Sequence, residues 1–293
     1  MPAIGLHPVT RAAIWMSGAL LSLAAMAVAT RELSAYLSIF QILFFRSACG
    51  VLVISAILWR SGWRQIITPD PVSHLIRNVG HFGAQYAWIY GIIFIPMAEV
   101  FAIEFTAPVW TIFLAALILK EKITWPRGIS VLTGLTGVYL IVQPGSAMVH
   151  PASLAVLVGA MAFALAYTMT KKLSRTDTAL CILFYMSVIQ LPLGAVTAAL
   201  DWRPIDPACW PLILVVGIVG LTAHYCMAKA MQVADATIVV PMDFLRLPLI
   251  ALIGTVFYAE TVKPSLFIGA ALILGGNLFS IVMERRRIKA AEA

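Results

Sequence analysis

Glu104-Phe105-Thr106-Ala107-Pro108-Val109-Trp110 lies within one apolar run, and 139 positions after Glu104 another run reads Asp243-Phe244-Leu245-Arg246-Leu247-Pro248. The same offset relates Gln85-Tyr86 to His224-Tyr225, Glu121 to Glu260 and Gly137 to Gly276. The surrounding residues are mostly apolar, so this recurrence of polar and small positions marks two copies of one unit. Each copy carries an acid at the same place. Internal symmetry with polar residues at membrane depth is the pattern expected of a secondary transporter.

Working outward, 61% of the 293 residues are hydrophobic and 11% are charged, against roughly 25% charged in soluble domains. A soluble fold of this size cannot hide so much apolar surface, whereas lipid can cover it. A membrane-crossing helix needs about 20 apolar residues. Ten segments qualify, at about 12–30, 36–59, 73–93, 97–119, 127–142, 152–170, 178–199, 208–231, 236–258 and 265–283. Runs such as Ala107 to Leu119 do not alternate apolar with polar, so a β-barrel is excluded. The expected fold is an all-α integral membrane protein of ten transmembrane helices, built as two five-helix inverted repeats around a central cavity. The repeats are 1–145 and 146–293 within one membrane domain. Five is odd, so the second copy enters the membrane from the opposite side.

The net charge of +7 would suit nucleic acid if the charges were clustered. They are sorted by side instead. Arg11, Arg60, Arg64, Lys120, Lys122, Arg127, Lys171, Lys172, Arg175, Lys229, Arg285, Arg286, Arg287 and Lys289 fall on one side, and only Arg31, Arg203 and Lys263 on the other. This bias places both termini in the cytoplasm of a multi-pass protein in a bacterial-type inner membrane, with lipid and not nucleic acid as its surroundings. The first span has a basic flank and small residues, but its apolar run outlasts the roughly 7–15 residues of a signal peptide's core. Cys49, Cys181, Cys209 and Cys226 form no CxxC, disulfide or metal pattern. There is no HExxH, GxSxG or Walker A motif, so no enzyme, cofactor or metal is expected.

Charge at the bilayer centre costs roughly 2.5–3.5 kcal/mol per residue, so polar residues inside spans face protein or a wet cavity. Arg77, His81, Gln85 and Trp88 form one stripe on the third span. For His81 and Gln85, cavity lining and interhelical hydrogen bonding stand as alternatives; Arg77 is expected to snorkel. Glu104 precedes Pro108 by four residues, and Asp243 is followed by Arg246 and Pro248. An acid beside a proline-weakened helix in both halves marks a site. Asp243 and Arg246 can also neutralise each other as a structural pair. Glu104 has no opposite charge on its own helix; Arg46 across the bundle is its candidate partner, and protonation is the alternative. His224 and Tyr225 share the eighth span with Lys229, which is expected to snorkel. Glu99 is expected to be solvated, and Glu121 and Glu260 to shape loops. The candidate cavity residues are therefore Arg46, His81, Gln85, Trp88, Glu104, His224, Tyr225, Asp243 and Arg246. Ser130, Thr133, Gly134 and Gly137 on the fifth span, with Gly269, Gly275, Gly276 and Ser280 on the tenth, imply close helix approach. They serve as scaffold or as a face for a homodimer.

The stretch Glu104 to Trp110, with Glu121 at the span end, the run Gly128 to Gly137 and Phe45-Arg46, resembles the drug/metabolite transporter superfamily, EamA type. The likeness covers nearly the whole chain, and the second half departs from it in placing Leu247 where Pro108 stands and shifting the proline to Pro248. The resemblance implies a secondary exporter of small metabolites, amino acids foremost, and is closest to the aromatic amino-acid exporter subgroup. Export of cationic or amphipathic toxic compounds, or passive facilitation, is the alternative. It further implies that spans one to four and six to nine surround the pathway.

Overall fold

The computed structural model describes residues 8–120, 123–142, 150–233, 242–243 and 245–292. Its helices are α1 (Pro8–Leu33), α2 (Ile39–Ser61), α3 (Pro71–Phe94), α4 (Met97–Glu104), α5 (Ala107–Leu119), α6 (Trp125–Val142), α7 (Pro151–Leu173), α8 (Ala179–Leu200), α9 (Trp210–Val233), α10 (Arg246–Tyr258) and α11 (Pro264–Glu292). No strand occurs among the described residues. Seven helical stretches are long and apolar enough to cross a membrane by length and composition, and α10 is a shorter apolar helix. The third span, α3, is long enough but too rich in polar residues to meet that criterion. Glu121, Phe244 and residues 236–241 of the ninth span lie outside the described residues.

The fourth span is a broken helix. It stops at Glu104 and restarts at Ala107, with Phe105 and Thr106 as a turn between. Pro108 has no N–H to return to the carbonyl four residues back, so it is tolerated only in a first turn, and it stands second in α5. Thr106 satisfies the end of α4 by donating both its N–H (3.0 Å) and its hydroxyl (2.7 Å) to the Ile103 carbonyl. The ninth span restarts at Arg246, 139 positions after Ala107, and α10 ends 139 positions after α5. Lys120 and Ala259 then close the two helices in the left-handed conformation, with φ of 56° and 51°. They are the only non-glycine residues with positive φ among those described. The sequence offset is thus also an offset in three-dimensional structure.

The packing has the same symmetry. Helix α1 packs on α9, and α7 packs on α3; exchanging the halves turns one pair into the other. The pairs α2–α8 and α6–α11 map onto themselves. Between α6 and α11 the backbones nearly touch: a Cβ on Gly137 would lie 2.5 Å from the Gly269 carbonyl oxygen, and one on Gly276 would overlap Thr133. Ser130 Oγ also bonds Asn277 Oδ1 at 2.9 Å. Ser130, Thr133, Gly137, Gly269 and Gly276 are therefore occupied in packing these two helices together, whereas Gly134 faces Val109 of α5 and a Cβ on Gly275 would meet nothing within 4 Å.

Polar clasps join the halves at both ends. At the face carrying most of the basic residues, called here the basic face, Thr68 donates to Asp177 (2.6 Å), His74 Nε2 meets the same carboxylate (2.7 Å), and Lys172 meets Asp70 (2.8 Å). At the opposite face Arg31 pairs with Glu260, whose other oxygen accepts the Met97 N–H at 2.9 Å. Tyr258 donates to Glu32 (2.6 Å) and lies under the Arg31 guanidinium (4.3 Å). Glu260 thus caps the start of α4, a structural role consistent with its position at a span end.

Candidate substrate cavity

A cavity of about 420 Å3 lies between the halves, within the size range of small-molecule sites. Arg46, His81, Gln85, Trp88, Glu104, His224, Asp243 and Arg246 all line it, contributed by α2, α3, α4, α9, the start of α10 and the segment just before it. Eight of the nine sequence-derived candidates are brought together by the fold. The ninth, Tyr225, is not: it is 56% exposed, packs edge-on against Trp15 and lies beneath Lys229. On a helix, adjacent residues point about 100° apart, so His224 can face the cavity only if Tyr225 turns away.

The helix break positions the acid. With α4 ending at Glu104, its carboxylate accepts the Trp88 indole N–H at 3.0 Å and an Arg246 N–H at 3.4 Å. Arg246 also reaches Asp243 at 3.4 Å. Its guanidinium lies between the rings of Phe101 (5.0 Å) and Phe105 (4.8 Å), where aromatic faces stabilise a cation. The expected Glu104–Arg46 pair is therefore replaced by Glu104–Arg246. Sequence adjacency showed Arg246 beside Asp243, but only the folding of the second half onto the first puts it beside Glu104. Both readings of Asp243 and Arg246 meet here, since they are ion-paired and line the cavity.

The α3 stripe runs deeper than expected. His81 Nδ1 lies 2.6 Å from the Gln85 amide nitrogen and 2.9 Å from that of Gln190 on α8, so it bridges helices and lines the cavity at once. Arg77 does not snorkel. It is buried, donating to Thr170 (2.7 Å) and Asn78 (2.5 Å), because α7 packs over this face of α3. Glu99 accepts a hydrogen bond from Ser153 (2.7 Å) and is only partly exposed, so it ties α4 to α7.

Several lining residues carried no specific signal in the sequence: Met26, Thr30, Phe163, Tyr167 and Met227. They are apolar or weakly polar residues like dozens of others. The walls are thus largely aromatic and aliphatic, with charges at a few points. Lining residues nearest the opposite face are shut in: Thr30, Ile42 and Ile89 are 1%, 2% and 4% exposed. Nearer the basic face, Tyr167 is 46% exposed and His224 is also exposed. The exposed lining residues among those described, Pro108, Tyr167 and His224, thus lie at mid-depth or toward the basic face.

A model of the EamA-like transporter family matches this chain twice, at residues 10–143 and 150–282. The chain belongs to the EamA-like transporter family. It is a multi-pass membrane protein that transports a small molecule and is not an enzyme. Among its relatives, an S-adenosylmethionine uptake transporter of Rickettsia felis is 25% identical over 93% of this chain and 92% of that protein. A riboflavin transporter of Brucella anthropi is 30% identical over 81% and 86%, and a pseudopaline exporter of Pseudomonas aeruginosa is 30% identical over 83% and 86%. A solved crystal structure shares the fold, with a TM-score of 0.64 at 20% identity over 94% of this chain and 99% of that one.

Proposed function

We propose that this EamA-like transporter exports small amphipathic metabolites, amino acids foremost, across a bacterial inner membrane by alternating access. The observation that carries this reading is the cavity itself: charged groups of both signs sit in an aromatic and aliphatic wall between two pseudo-symmetric halves. A solute with an apolar body and charged ends matches such a wall. In this reading the basic face is cytoplasmic, following the sorting of Lys and Arg, and both termini lie there. Greater exposure of the lining toward that face fits the loading state of an exporter. Rocking of repeat 1–145 against repeat 146–293 would exchange the two ends' conformations and carry the cavity to the other side.

Proteoliposomes holding the purified protein and a panel of radiolabelled amino acids test this. Saturable counterflow of at least one neutral or aromatic amino acid is expected. Absence of flux for the whole panel, or flux that never saturates, overturns the reading. Names of relatives favour a second direction, since those from Rickettsia are uptake transporters. Everted and right-side-out vesicles separate the two: uptake into right-side-out vesicles down an imposed gradient, with no export from loaded cells, would favour import.

A further inference from the structure

The charges of the cavity are not evenly paired. Arg246 stands between Glu104 and Asp243, one cation for two acids. One oxygen of the Asp243 carboxylate, Oδ1, is buried with no hydrogen-bond partner, as is Arg246 Nε. Arg46 is the converse. It lines the same cavity yet makes no hydrogen bond among the described residues, and no carboxylate among them lies within 4.0 Å of it. Its room comes from Gly220 on α9, where a Cβ would stand 3.2 Å from Arg46 Nε. A third arginine of this region, the buried Arg77, spends its donors on Thr170 and Asn78 and does not line the cavity. An ion held at mid-depth without a partner is costly unless water or a ligand meets it.

We propose, building on the transport reading above, that Arg46 and Asp243 are the two poles that select the substrate. Arg46 takes an anionic group, such as a carboxylate, through its free guanidinium. Asp243 takes a cationic ammonium-type group. Glu104, held by Trp88 and Arg246, keeps Arg246 in place so that it does not fully neutralise Asp243. Trp88 and Phe105 form the apolar wall along which the body of the ligand lies. The substrate class is therefore a zwitterion with an apolar or aromatic body, in preference to a simple cation or anion of the same shape.

Three probes with one shared body test this: L-phenylalanine, 2-phenylethylamine and 3-phenylpropionate, measured as equilibrium binding to the purified full-length protein. Wild type is expected to bind phenylalanine about tenfold or more tighter than either of the others. Arg46→Gln should erase the advantage over phenylethylamine while leaving phenylethylamine binding near its wild-type strength. Asp243→Asn should erase the advantage over phenylpropionate in the same way. Arg46→Lys and Asp243→Glu retain the charges and should restore the ranking, which separates a lost pole from a misfolded cavity. Wild type that binds phenylalanine no tighter than the two single-charge probes overturns the pole assignment alone. So do variants that weaken all three probes equally or leave the ranking intact. Wild type that binds none of the three at millimolar concentration overturns the amino-acid reading and the assignment together.

Discussion

Arg246 is the residue on which the cavity's charge balance turns. It meets two carboxylates contributed by different halves and is 6% exposed, so removing it leaves two acids uncompensated at mid-depth. Breaking such a buried arrangement typically costs about 3–5 kcal/mol. Arg246→Met should therefore lower the thermal stability of the detergent-solubilised protein by that order. Adding Glu104→Gln and Asp243→Asn to the same chain should recover most of the loss. A triple variant no more stable than the single one would show that Arg246 acts through its packing between Phe101 and Phe105 instead. The sequence identified Arg246, Asp243 and Glu104 as unusual because charge is rare in apolar spans. It misassigned Glu104's partner because distance along the chain says nothing about which acid a long guanidinium meets across a helix interface.

Two elements carry predictions of their own. The α6–α11 pair depends on glycine at the crossing, so Gly276→Val forces its new methyl groups onto Thr133 and the Ser130 backbone. Overpacking of this kind costs about 1–3 kcal/mol. The variant should melt at lower temperature, while substrate affinity changes little because neither helix lines the cavity. The clasp between α3 and the α7–α8 turn responds to pH. Burial alone would raise the Asp177 pKa, but hydrogen bonds from Thr68, His74 and Thr176 outweigh it and hold the carboxyl below its ordinary value. A depressed carboxyl contributes stability that is present above the unfolded value near 3.9 and lost as pH falls through the folded one. Wild-type stability should decline below about pH 4, and Asp177→Asn should remove part of that decline. Equal acid slopes for the two proteins would discount the clasp. Asp70, capping α3 and bound to Lys172, is pushed down to about 2 and titrates in the same direction.

At the scale of the whole molecule, the closed end of the cavity is held by the network of Arg31, Glu260, Glu32 and Tyr258. Glu260 alone joins α1 to the first turn of α4 from a loop of the second half. Glu260→Gln should loosen that end. In a background without the native cysteines, Thr30→Cys should then react with a membrane-impermeant maleimide about tenfold faster from the opposite face, the equivalent of about 1.4 kcal/mol. Unchanged labelling would mean that hydrophobic packing around Ile42 and Ile89, and not the ion pair, keeps that end shut.

The apolar composition, the sorting of basic residues and the 139-residue offset were sufficient to derive a helical membrane protein of two inverted halves. These are properties of solvent partitioning and chain periodicity, and both are local enough to be written along the sequence. The register of the α5 and α10 restarts, the Glu104–Arg246 pairing, the turning away of Tyr225 and the lone guanidinium of Arg46 came only with tertiary structure. Each depends on which helix face meets which neighbour, and in a bundle where nearly every face is apolar, hydrophobicity does not distinguish one face from another. Close packing and the few hydrogen bonds across the halves make that choice.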